Sequence, residues 1–305
     1  MSDLPSVDVV VPTHNRPELM RAAVASVVRQ NYAGKLRVIV VYDAAEPDHS
    51  LASSGGAVDV TVLANARKSG LSGARNTGIL AGEAEYVAFL DDDDTWLVDK
   101  LAKQMHRLLD EPNAFFATTA IEVDYDDKRS LRTAGTSSVN HVDLVRSRMA
   151  MLHSSTFLIR REALLTTLGL VAEDAPRGQN EDWDLLLRAS ALSPIAHLDV
   201  PLVRVRWGRT SMFSAAWASR VEGANWILQR HPDIASDRVG YARLLGQIAF
   251  GRAAIGERRG AARDALRAAR TRLREPRSYL ALAVAAGAVK PDTIQRALHR
   301  HGHGI

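Results

Sequence analysis

The feature that most constrains this chain is a succession of short apolar, β-branched runs and helical segments through its first hundred residues. Residues 7–11 are apolar apart from Asp8 and end at Pro12, as a buried parallel strand would. Proline suits the first turn of a helix, so a helix is expected from Pro17 to about Gln30. Residues 36–42 read as a second strand with Asp43 at its carboxyl edge, and residues 58–63 as a third. Residues 72–81 read as a helix, and residues 85–90 as a fourth strand running into Asp91, Asp92, Asp93 and Asp94. Strands alternating with helices predict an α/β fold, a parallel sheet flanked by helices. In such sheets ligands bind beyond the carboxyl ends of the strands. Asp43 and the aspartate run both fall there.

Further along, residues 115–125 and 155–160 read as strands, and residues 161–168 and 181–191 as helices. After about residue 215 the strand signal stops. Residues 217–230, 239–255, 260–273 and 279–288 read as helices, parted by Pro232, Gly256, Pro276 and Pro291. This places an α/β domain over residues 1–212 and an all-α C-terminal region over residues 213–305, as 305 residues allow. The 46% of apolar residues supplies a sizeable core and excludes wholesale disorder. Cysteine is absent, which excludes disulfides, thiolate zinc sites and a cysteine nucleophile. The formal charge of +4 is small, and only six of the cations are lysine. That pattern reads as compositional bias, so no nucleic-acid partner is expected. No signal-peptide pattern opens the chain, and no apolar run reaches the roughly 18 residues of a spanning helix. A cytoplasmic protein is the expectation.

Four consecutive aspartates after an apolar strand cannot all stay ionised side by side without a compensating cation. Oxygen ligands favour Mg²⁺ or Mn²⁺, with substrate phosphates completing the shell. The bland alternative is an acidic turn capping a helix over residues 96–109. Asp43 is either a turn or cap residue or an acceptor for a base N–H or ribose hydroxyls. Residues 65–78 are glycine-rich and open a helix, but match neither a phosphate-binding loop nor a dinucleotide fingerprint. On the plainer reading they are a loop and helix start with Arg75 in solvent. Glu181, Asp182 and Asp184 open an amphipathic helix, where acids favour the dipole and Asp184 can pair with Arg188. A carboxylate there is also a candidate general base, if the fold brings it opposite the aspartates.

Five segments occur in order: Val-Val-Val-Pro-Thr-His-Asn-Arg at 9–16, Val-Ile-Val-Val-Tyr-Asp at 38–43, Gly-Ala-Arg-Asn-Thr-Gly at 73–78, Phe-Leu-Asp-Asp-Asp-Asp-Thr-Trp at 89–96, and Glu-Asp-Trp-Asp-Leu at 181–185. Together they resemble the family-2 glycosyltransferases, inverting enzymes with the GT-A fold, over roughly residues 7–210. The resemblance implies that Pro12, Thr13 and Asn15 line a nucleotide pocket. Asp43 would bind the base, with Asn65 and Arg75 completing that pocket. Asp91, Asp92 and Asp93 match the Asp-x-Asp (DXD) motif, with Asp93 ligating Mn²⁺ or Mg²⁺ and Asp91 or Asp92 facing ribose or the metal. Asp182 matches the catalytic base and Glu181 its support. His153 and Ser154 precede a strand on the acceptor side. The implied activity is transfer of one sugar from a nucleotide-diphosphate sugar, UDP- or dTDP-linked, to an acceptor hydroxyl, lipid-linked or on a small molecule. Glycan, cell-envelope or glycoconjugate synthesis would be its setting.

The chain departs from the family pattern in two places. Tyr-Asp-Ala-Ala at 42–45 stands where Asp-Asp-Gly-Ser is usual, and residues 203–209 lack a histidine found in many relatives. Arg206 or Arg209 would contact the diphosphate in its place. Val203 stands where the Gln-x-x-Arg-Trp motif of processive members has glutamine, so a single-sugar transfer is expected. Two rival functions are a sugar-phosphate nucleotidyltransferase and a catalytically degenerate nucleotide-sugar-binding subunit. Residues 252–277 carry nine arginines against three acids. They form either a solvated face of packed helices or a peripheral contact with an anionic membrane.

Overall fold

The computed structural model describes residues 4–125, 128–207 and 217–300. Its first elements are β1 (Val7–Thr13), α1 (Pro17–Val28), β2 (Leu36–Tyr42), β3 (Asp59–Ala64), α2 (Leu71–Ala81) and β4 (Tyr86–Phe89). There follow β5 (Thr95–Trp96), α3 (Lys100–Asp110), β6 (Phe116–Tyr125), β7 (Lys128–Arg132), β8 (Ser138–Val139) and α4 (His141–Arg146). Next come β9 (Leu158–Arg160), α5 (Arg161–Leu165), α6 (Glu181–Leu192) and β10 (Ile195–Trp207). The remaining elements are helices: α7 (Trp217–Arg230), α8 (Pro232–Ser236), α9 (Arg238–Ala254), α10 (Arg258–Thr271), α11 (Pro276–Ala285) and α12 (Pro291–Arg300).

One sheet runs β3-β2-β1-β4-β9-β6-β10-β5, with β7 on β6 and β8 on β10. The ladders β3/β2/β1/β4 and β6/β10 are parallel, and β9 is antiparallel between the two blocks. Val7, Val9, Val10 and Val11 are all buried, as a strand covered on both faces requires. The carboxyl ends of β1, β2, β3 and β4 therefore lie side by side, with Thr13, Asp43, Asn65 and Asp91 at or just beyond them. Pro201 sits inside β10 at a pair of register shifts against β6, the irregular position where a strand tolerates proline.

The glycine-rich segment is mostly helix, and close packing explains its small residues. A Cβ on Gly78 would collide with Val10 Cγ1, and one on Gly73 with the Lys68 carbonyl oxygen. The bare Gly78 lets α2 lie directly on β1, and the bare Gly73 lets the loop at Lys68 press on the start of the helix. The helix expected over residues 96–109 instead begins at Lys100, because Trp96 is drawn into β5, where it is buried opposite Val203. Its indole N–H donates to the Ser155 carbonyl at 2.8 Å. The aspartate run is thus a turn leading into a short strand, and it caps no helix.

The chain divides into two compact units, one comprising residues 1–141, 149–173 and 181–208 and holding the whole sheet. The other comprises residues 142–148, 174–180 and 209–305; the boundary expected at residue 212 lies outside the described residues. The second unit packs small residues (Ala249, Ala253, Ala261, Ala265, Ala281 and Ala285) around Phe250 and Val284. Trp217 stacks at 5.2 Å from Phe250. Asp237 caps α9 by accepting from the Val239 and Gly240 amides, both at 2.9 Å, and pairs with Arg146 of the 142–148 segment at 2.9 Å.

Candidate active site

The sheet unit gathers the polar residues at its carboxyl edge into two connected groups. In the first, Asp43 accepts from Asn65 Nδ2 at 2.7 Å and from the Gly70 amide at 2.9 Å. Asn65 Oδ1 accepts from Thr77 Oγ1 at 2.8 Å. His14 Nδ1–H donates to the Asp43 carbonyl at 2.6 Å, fixing the turn after β1 against the end of β2. Asn15 takes a left-handed conformation there (φ 52°), which asparagine tolerates better than most residues. Pro12 is buried at the end of β1.

The second group centres on Arg75, which α2 carries into the protein interior. Its Nη1 donates to Glu181 Oε1 at 2.9 Å, and its Nη2 to Asp91 Oδ1 at 2.6 Å and Ser154 Oγ at 2.9 Å. Its guanidinium lies 5.5 Å from the Phe89 ring centroid. The plain reading of Arg75 in solvent is therefore wrong. Nor does it hydrogen-bond Asp43 or Asn65; it spans the aspartate run and the acids at the start of α6. Burial disfavours its charge, but Asp91 and Glu181 outweigh that and hold it protonated.

The four aspartates have four different environments. Asp91 accepts from Arg75 and, at 3.0 Å, from Ser154 Oγ. Burial pushes its carboxyl up, yet Arg75 and then His153 bring it below the usual range. Asp92 accepts from Thr13 Oγ1 at 2.9 Å and from Arg16 Nη1 at 3.1 Å, with burial still raising it. Asp93 meets the same Arg16 nitrogen at 2.9 Å and keeps a third of its side chain exposed. Burial, then Asp91 and Asp92, raise its carboxyl. Asp94 is sealed beneath, accepting from Ser155 Oγ at 2.6 Å and the Arg206 amide at 3.1 Å. Burial, Asp91 and Asp93 push it well above the usual range.

Three neighbouring carboxyls held above their ordinary pKa form a site that a cation would relieve. Ligand atoms of Asp91, Asp94 and His153 lie within 4.8 Å of one another. This oxygen-rich set fits a divalent ion of the Mg²⁺ or Mn²⁺ type. Asp93, the expected ligand, is outside that cluster and paired with Arg16.

Glu181 and Asp182 occupy the first turn of α6, and both are buried. Asp182 Oδ1 accepts from the Trp183 amide at 2.7 Å. Burial and then Asp182 push Glu181 up to about 7, against the pull of Arg75. Asp184 pairs with Arg188 at 2.9 Å, the i, i+4 pair read from the sequence. Arg206 contributes only its backbone to Asp94 and has an exposed side chain; Arg209 lies outside the described residues.

The sequence left Arg16 and Ser155 without roles. Their signals were an arginine directly after the first strand-end motif, and a hydroxyl run (Ser154, Ser155, Thr156) before an apolar strand.

The model of the glycosyl transferase family 2 matches residues 8–167. The Escherichia coli protein "UDP-Glc:alpha-D-GlcNAc-diphosphoundecaprenol beta-1,3-glucosyltransferase WfgD" is 28% identical over 103 residues, 34% of this chain and 41% of that relative. The chain thus spans less than half that relative's length. Among solved structures, S. aureus TarS 1-349 in complex with UDP-GlcNAc superposes with a TM-score of 0.61 at 16% identity. That match covers 98% of this chain and 92% of TarS 1-349. The mannosyltransferase PcManGT from Pyrobaculum calidifontis, in complex with GDP-Man and Mn²⁺, gives 0.56 at 18% identity, covering 96% and 83%. These likenesses establish a GT-A-type fold with a helical C-terminal part. With a family match over more than half its residues and the motifs of that match gathered at one sheet edge, the chain belongs to glycosyl transferase family 2.

Proposed function

We propose that this chain is an inverting, metal-dependent glycosyltransferase. It moves one sugar from a nucleotide-diphosphate donor, UDP- or dTDP-linked, to an acceptor hydroxyl in envelope or glycoconjugate synthesis. The observation that carries the reading is Arg75, which ties Glu181, the neighbour of Asp182 in α6, to Asp91 of the aspartate run through one buried guanidinium. This supports a base and a diphosphate locus within one site. The name of the E. coli relative, a glucosyltransferase acting on a diphosphoundecaprenol-linked sugar, supports an acceptor hydroxyl carried on a lipid.

In this reading Asp43 and Asn65 hold the base, and Pro12, Thr13 and Asn15 line the nucleoside. Asp182 takes the proton of the acceptor hydroxyl as its oxygen attacks the anomeric carbon. The bond from that carbon to the diphosphate breaks, and its electron pair leaves with the nucleoside diphosphate. Glu181 stands beside Asp182 with its carboxyl pushed up to about 7 by burial and then by Asp182. Asp91 and Asp93 are the proposed metal ligands; Asp93, the most exposed of the run, would exchange Arg16 for the ion, Asp94 and His153 stand beside Asp91 as further ligands, and Asp92 faces the ribose. These residues would hold a divalent cation, whose charge would offset that of the leaving diphosphate.

The test is Asp182→Asn. Transfer should fall by about 10³-fold, while affinity for the nucleoside diphosphate stays within about twofold of wild type. Transfer that survives the substitution would remove Asp182 as base.

A further inference from the structure

The helical unit carries a surface that the transfer chemistry does not use. On α10, Arg259, Arg263, Leu266, Arg267 and Arg270 recur at helical spacing and are exposed, while Ala261, Ala265 and Ala268 are buried. Leu273 and Arg274, just past the helix end, are exposed as well. Leu273 is 75% exposed and Leu266 46%.

Few acids balance this face: between residues 257 and 291 they are Glu257, Asp264 and Glu275. Glu257, at the start of α10, approaches Arg252 at 3.6 Å, and the other two are buried. Asp264 pairs with Arg252, and Glu275 with Arg277 at 2.8 Å. Arg263 approaches Asp264 only at 3.5 Å, and Arg259, Arg270 and Arg274 make no ion pair among the described residues.

We infer that this face docks on an anionic lipid bilayer. Arginines at these positions would meet phosphate headgroups, and the two leucines among them would enter the headgroup–acyl boundary. A nucleic-acid backbone would use the arginines but gain nothing from exposed leucines, and the nearby aromatic rings are engaged within the unit, Tyr241 under the Arg267 guanidinium and Tyr279 through its hydroxyl to the Leu273 carbonyl. The inference goes beyond the transferase reading, because it concerns binding that needs neither donor nor acceptor.

Co-sedimentation of the full chain with vesicles tests it, comparing neutral phosphatidylcholine with vesicles holding about 30 mol% phosphatidylglycerol. The protein should bind the anionic vesicles, ignore the neutral ones, and dissociate as salt rises from about 0.1 M to about 0.5 M. Replacing Arg259, Arg263, Arg270 and Arg274 together by Gln should lower the partition coefficient by about 1,000-fold. The same four positions changed to Lys should retain binding, which guards against misfolding as the cause. Leu266→Ser with Leu273→Ser should weaken binding at high salt most. Failure of the wild type to bind anionic vesicles, unaltered binding by the glutamine variant, or displacement from vesicles by equal phosphate as duplex DNA would each overturn the assignment.

Discussion

Arg75 donates to Glu181 across 106 positions of sequence, Nη1 to Oε1 at 2.9 Å, while the other end of the same guanidinium holds Asp91 at 2.6 Å. Three segments distant in the chain (α2, the turn after β4, and the start of α6) are thereby fixed to one cation. Such a buried pair contributes little net stability when compared with apolar packing, but removing one partner is costly because the other charges stay behind.

Arg75→Ala should therefore destabilise the fold by about 3 kcal/mol, read as a lower urea midpoint with an unchanged m-value. Arg75→Lys should recover part of that stability but lose the two-ended bridge, since an ammonium cannot reproduce the planar fork. Donor turnover should remain impaired in both. A lysine variant with wild-type turnover would detach the bridge from function.

Glu181 gives a pH signature. Its carboxyl titrates near 7 in the fold against an ordinary 4.5, so between those values the folded chain keeps a proton that the unfolded chain releases. Stability from this group is therefore full below about pH 4.5, declines through the window, and is gone above about pH 7. Melting temperature in the presence of chelator should fall from pH 5 to pH 7.5. Glu181→Gln should flatten that fall without abolishing it, because Asp92, Asp93 and Asp94 are also raised. An identical slope in the variant would contradict the assignment.

Gly78→Ala tests the seating of α2 on β1. The added methyl would overlap the stiff Val10 side chain, and overpacking of this kind costs about 1–3 kcal/mol. A paired Val10→Ala change should recover much of the loss, measured as a double-mutant cycle. Additive destabilisation would place the strain elsewhere.

Much of the sheet unit was legible because its strands are buried on both faces and read as apolar runs. β2 matches its expected span, and β1, β3 and β4 differ by one or two residues at an end. The α6 acids and the Asp184–Arg188 pair were legible from helix periodicity. Other features depend on contacts that no local pattern encodes. Trp96 leaves its expected helix because β10 offers it a strand partner and Ser155 an acceptor. The helix over residues 72–81 was legible, but the reason for its glycines was not until Val10 and the Lys68 carbonyl are seen pressing on them. Arg75 looks like a surface cation because its three partners come from residues 91, 154 and 181. Asp94 differs from its three neighbours through Ser155, His153 and the backbone of β10.

The most direct test of the central claim is nucleoside diphosphate release across a panel of nucleotide sugars, with and without Mn²⁺, wild type beside Asp93→Ala. The account predicts slow release from one donor that requires the metal and is lost in the variant. Wild-type protein that neither turns over nor binds any nucleoside diphosphate in Mn²⁺ would contradict it.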